Sequence, residues 1–178
     1  MAKSPTIYKF AIALSDLDRN RYEPLNLVVA RHPSETPERM LVRVLAYCIN
    51  AGEGLAFGKG LSDPEEPDLW LRSLDSQISM WIYVGEPKIE RIKKSAGLGG
   101  RVRVYSFNTK SSIWWQSVAE KCNALSVEVF QFVWSEIQTA AGLIERTMQL
   151  SITISDNAAY MATDNGECEI SWVTAGQD

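Results

Sequence analysis

Histidine and cysteine are scarce. The chain of 178 residues holds one histidine, His32, and three cysteines. Cys48, Cys122 and Cys168 are odd in number and far apart, which argues against a disulfide frame or a zinc site and for a reducing cytoplasm. No apolar run approaches the roughly 18 residues of a membrane helix, and the opening MAKSPTIYKF lacks the apolar core of a secretory leader. There is no Walker loop or dinucleotide fingerprint, so no nucleotide cofactor is expected. GLGG at Gly97–Gly100 is too short to cradle phosphate. Positive charge is not in excess: the net charge is −4, which gives no global electrostatic reason to bind nucleic acid. The six tryptophans are too scattered to form a base-stacking platform.

What is present reads as one soluble domain over 1–178. TIYKFAIAL and LNLVVARH are β-rich and flank the polar LDRNRYEP, giving an antiparallel hairpin. A helix follows to about Asn50. Ser34 or Thr36 caps it, Pro37 suits its first position, and Glu35 and Glu38 meet the positive end of its dipole. LSDPEEPDLWLRSLDSQ is a loop leading to a short extended piece at Leu69–Leu71. ISMWIYV is apolar throughout, as in a strand covered on both faces. PKIERIKKSAG is a short helix closed by Gly97, RVRVYSF a strand, Ser111 to about Cys122 a helix, and LSVEVFQFV a strand. This alternation predicts right-handed parallel crossovers. A short helix near Ser135–Ala141 precedes a β-rich end with turns at Asp156-Asn157 and Asn165-Gly166. The fold class is α/β (α+β): a mixed central sheet with a parallel centre, extra antiparallel strands and flanking helices.

Two features suggest chemistry. On the first helix, Leu41, Val42, Leu45, Cys48 and Ile49 share one side, and Arg39, Arg43, Tyr47 and Asn50 the other. Glu38 falls within the apolar side. It is either held by the helix's first N–H groups at the core edge or aimed as a carboxylate at a site. The second feature is a charge inversion. Asp63, Glu65, Glu66 and Asp68 crowd one loop, and Lys88, Arg91, Lys93, Lys94, Arg101 and Arg103 follow against a single Glu90. These are either two solvated surfaces or the parts of a phosphodiester site: Mg²⁺ on oxygen ligands, with cations against the developing charge. His32, before a proline, is either a structural anchor of the strand-to-helix corner or a general base or phosphate donor. Ser34 is first a cap, since His32, two residues away, is badly placed to activate it.

The run LDRNRY, ARHPSETPERMLVRVLAY, LAFGKGLSD, EEPDLW, WIYVGEP and RIKK resembles the bacterial YaeQ family over nearly the whole chain. The resemblance implies a variant of the PD-(D/E)XK nuclease core. It implies Glu66 and Asp68 as metal ligands and catalytic acids, Glu38 as an orienting acid, and Arg91 or Lys93 as the catalytic cation. His32, Ser34 and Lys94 are candidate binding residues beside these, and Mg²⁺ is the implied cofactor. Tyr83 stands where relatives carry a Glu, and Gly85 occupies the lysine slot, so a cation from Arg91, Lys93 or Lys94 would have to replace it. Glu86 is a further candidate to compensate for Tyr83. The implied partners are nucleic acid or a protein of the transcription apparatus. The two functional expectations are a degenerate Mg²⁺-dependent nuclease and a non-catalytic binding module.

Overall fold

A computed structural model describes residues 3–176. In chain order the elements begin with β1 (Thr6–Asp16), β2 (Arg21–Arg31), α1 (Pro37–Ile49), β3 (Leu55–Phe57), β4 (Leu69–Arg72) and β5 (Ile78–Val84). They continue with α2 (Ile89–Gly97), β6 (Arg101–Ser106), α3 (Ser111–Ala124), β7 (Glu128–Phe132), α4 (Trp134–Ala141), β8 (Thr147–Ser155), β9 (Ala158–Thr163) and β10 (Gly166–Thr174). The chain divides into two compact units. Met1–Leu41 with Val133–Trp172 make the first, and Val42–Phe132 with Val173–Asp178 the second. The boundary passes through α1. No helix among the described residues is long and apolar enough to cross a membrane.

The first unit is a sheet in the order β2-β1-β8-β9-β10, with α4. β1 and β2 form the expected antiparallel hairpin over eleven paired positions. β2 begins earlier than expected, at Arg21, and contains Pro24, which a strand at the end of a sheet tolerates. The turn at Asp156-Asn157 takes positive φ at both residues, 51° and 61°, the signature of a tight hairpin turn. One pairing was not anticipated: β1 lies parallel to β8. Strand composition alone cannot specify which of several strands a hairpin will join. Along β1 and β2 burial alternates. Phe10, Ile12, Leu14, Leu25, Leu27 and Val29 are buried, and the residues between them are wholly or partly exposed.

The second unit is a sheet in the order β7-β6-β5-β4-β3. β5, β6 and β7 run parallel, as the crossovers α2 and α3 require, and β3 and β4 are antiparallel. Met80 to Val84 are all buried, in accord with their unbroken apolar run. Trp81 and Tyr83 pack with Ile92 of α2, Val118 and Cys122 of α3, and Val102 and Val104 of β6. β3 and a 3-10 turn at Gly60–Ser62 add to the elements expected from the sequence.

On the polar side of α1, a position such as Arg43 is expected to serve solvent or a partner, yet Arg43 is 7% exposed, and Asn50 is 8% exposed. Arg43 stacks its guanidinium over the Phe57 ring, 5.7 Å from the centroid. Asn50 donates to the Ala46 carbonyl at 2.7 Å and to the Tyr105 hydroxyl at 2.8 Å. Long side chains can bury their stems while their polar heads find partners, so charge on one side of a helix does not by itself mark solvent.

Candidate functional site

The acidic loop, the end of β5 and α2 meet within the second unit. Asp68, immediately before β4, is 1% exposed, and its Oδ2 accepts the Val84 backbone N–H at 2.8 Å. The loop can press against this carboxylate because residue 60 is glycine. A Cβ there would lie 2.6 Å from Asp68 Oδ1, and the backbone takes φ of +49°. Glu66 is tied at two points. Its Oε2 accepts the Lys59 N–H at 2.7 Å, and its carbonyl accepts a guanidinium N–H of Arg91 at 2.7 Å. Lys94 pairs with Glu65. Two cations of α2 therefore clamp the acidic loop.

Tyr83 lies under this clamp. Its hydroxyl hydrogen-bonds Ser95 of α2, both residues are buried, and Arg91 holds its guanidinium 5.0 Å from the ring centroid. Burial pushes the phenol above its ordinary value. The Ser95 bond and Arg91 pull the other way without overcoming it. The ring is therefore neutral across the physiological range.

This donor set does not fit the Mg²⁺ that the resemblance implies. A hard cation takes several charged or carbonyl oxygens and keeps waters. Here one Asp68 oxygen holds a buried N–H, one Glu66 oxygen holds a loop N–H, and the third position is a neutral phenol. Glu86 does not substitute. It accepts bonds from the Asn108 side chain at 2.8 Å and the Ser111 hydroxyl at 2.7 Å, and so anchors the start of α3. Among the described residues no group of three or more His, Cys, Asp or Glu side chains could hold a metal ion.

The structure thus brings Asp68 and Arg91 to Tyr83 in the second unit, with Glu66 held by Arg91 through its carbonyl, Lys94 of α2 paired with Glu65 of the loop, and Lys93 exposed on α2. Glu38, His32 and Ser34 belong to the first unit. Thr36, not Ser34, caps α1: its hydroxyl accepts the Arg39 N–H at 3.2 Å and its carbonyl the Met40 N–H at 3.1 Å. Ser34 instead meets His32 Nδ1 at 2.7 Å, and its own N–H donates to that nitrogen at 3.1 Å. His32 organises the corner before the helix. Glu35, read as a dipole partner, is 4% exposed and accepts a 2.6 Å bond from Arg39. Glu38 is half-buried in the first turn of α1.

The basic run is engaged inside the unit as well. Arg101 and Arg103 both reach Glu128, at 2.5 and 3.3 Å. Arg103 also donates to the Asn50 amide oxygen. Burial raises the pKa of Glu128, but the two arginines outweigh it and leave the carboxyl below its usual range. Sequence reading missed this Asn50–Arg103–Tyr105–Glu128 network. The only signal was Asn50, a polar residue one position past the last turn of α1.

Comparison with known proteins bears on the whole chain. The family model described as "YaeQ protein" matches residues 1–172. "Uncharacterized protein YaeQ" of Escherichia coli K12 is 37% identical over 179 aligned residues, 99% of this chain and 98% of that one. Its Salmonella typhi counterpart is 38% identical over 172, covering 96% and 95%. The crystal structure of the Pseudomonas syringae YaeQ protein superposes with a TM-score of 0.91 at 34% identity, covering 98% of this chain and 97% of that one. The Xanthomonas axonopodis pv. citri structure gives 0.92 at 29%, covering 98% and 100%.

Proposed function

The chain belongs to the YaeQ family, and on that premise we propose that it is a binding protein rather than a cutting one, built on a PD-(D/E)XK-like layer whose acids now serve the fold. The succession α1, β3, β4, β5, α2, β6 along the chain supports kinship with that core. The observation that carries the reading is Tyr83. A buried neutral phenol bonded to Ser95 stands on β5 where the nuclease motif needs a carboxylate.

The engagement of Arg91, Lys94, Arg101 and Arg103 with internal partners, together with the net charge of −4, favours a protein partner over nucleic acid. A component of the transcription apparatus is one such partner. A second reading, metal-dependent phosphodiester cleavage, draws on the proximity of Asp68 and Arg91 to Tyr83, whose titration feels both.

Plasmid and RNA cleavage assays with Mg²⁺ and Mn²⁺ separate the two. The expected result is no cleavage by the wild type, with no binding heat in calorimetry at millimolar metal. Metal-dependent cleavage that Asp68→Asn abolishes overturns the proposal. Activity in Tyr83→Glu alone marks position 83 as the point where the site was lost.

A further inference from the structure

We propose that the outer face of the first unit's sheet is the docking surface for a partner protein with a basic rim, an inference that rests on the binding-protein reading above. Strand register places the residues of this face in rows. One row runs Tyr22, Ser15, Thr153, Tyr160, and the next Pro24, Ala13, Ser151, Ala162. Asn26, Ala11 and Gln149 make the third. None of these eleven residues is charged. A sheet face left only to water carries lysine, arginine and glutamate among its outward residues, since about a quarter to a third of an ordinary surface is charged.

Charge lies beside these rows. Glu167 and Glu169 face outward on β10, and Asp164 and Glu145 flank the hollows of the face, with Lys9 and Arg146 at the same end. An uncharged centre with a charged rim is the anatomy of a protein interface. Tyr22 and Tyr160 stand 59% and 48% exposed over small neighbours, and tyrosine is the residue type that anchors such interfaces. The face is also hollowed. Adjoining depressions of about 500, 530 and 340 Å³ lie on it.

The rim selects the occupant. Four acids against two cations repel a second copy presenting the same face, and repel nucleic acid, while they attract a basic protein surface.

A random peptide library displayed on phage, panned against the whole chain at low salt, tests this. The expected result is enrichment of lysine- and arginine-rich peptides. Their binding, once they are synthesised, falls at least about tenfold in Ala13→Arg and with rising salt, and is unchanged in Leu74→Arg, whose site is 94% exposed in the second unit. Tyr160→Ser gives the same loss without inserting a charge, and circular dichroism checks that both variants fold. No enrichment, peptides indifferent to Ala13→Arg and Tyr160→Ser, or wild-type dimers that Ala13→Arg splits in sedimentation would each overturn the proposal. Metal-dependent cleavage by the wild type overturns the non-cutting reading instead, and does so in a different assay.

Discussion

Along β1 of the first unit's sheet, buried and exposed residues alternate, from Phe10 through Ala11 and Ile12 to Ala13 and Leu14. Along β5 of the second, every residue from Met80 to Val84 is buried. β1 keeps one face for water or a partner; β5 is covered on both. The polar groups follow the same division. Where both faces are covered, polar groups must find partners inside, and Asp68, Glu66, Arg91, Tyr83 and Ser95 have done so. Such groups hold a fold together. Where one face is open, residues can be chosen for what they present outward.

The largest test of the contrast sets one strand against the other. Ile82→Ala, at a position 0% exposed, is expected to cost about 2–5 kcal/mol in urea unfolding. Ala13→Ser on the open face should stay within about 0.5 kcal/mol of wild type. Near-equal costs would erase the difference between the sheets.

Asp68→Ala leaves the buried Val84 N–H without its carboxylate acceptor and is expected to cost about 1–3 kcal/mol. Asp68→Asn, which keeps an acceptor oxygen, should cost less. A stabilised Asp68→Ala would mean that the carboxylate is held for a ligand rather than for the fold.

Tyr83→Phe should cost about 1 kcal/mol through the lost Ser95 bond and also change the pH response. The folded phenol sits above its ordinary value of 10.0 because of burial. As pH rises through 10.0 the unfolded chain releases this proton first, so folding is disfavoured from there upward. Below that value the phenol is neutral in both states and contributes no slope. Thermal melts should show an alkaline loss that is smaller in Tyr83→Phe; Tyr105, raised by burial too, keeps part of it. The smallest expected effect is Lys94→Met. Its pair with Glu65 is solvent-exposed on both sides, so less than about 1 kcal/mol is at stake.

Much of the fold was legible. The β1–β2 hairpin, the helix opening at Pro37, the unbroken run of β5 and the α2 and α3 crossovers each have a local cause in period, cap or turn residue. The site was legible only in its ingredients. Acids at 63–68 and cations at 88–103 were visible as a charge inversion, but charge runs do not state their partners. Lys94 meets Glu65, Arg91 meets a backbone carbonyl and Arg103 meets Asn50, and none of these pairings follows from spacing. Arg43 misled for the same reason, and Asn50 makes the same point: a polar residue on a helix marks solvent only when no partner waits inside.

The sequence by itself determined where most of the strands and helices lie, that β5 is buried on both faces, and that residue 83 brings a neutral phenol. The tertiary structure decided the parallel joining of β1 to β8, the capture of the acidic loop by α2, and the uncharged centre shared by four strands. Those outcomes depend on residues far apart in the chain arriving side by side. Local propensity carries no information about such meetings, because it is set by neighbours a few residues away.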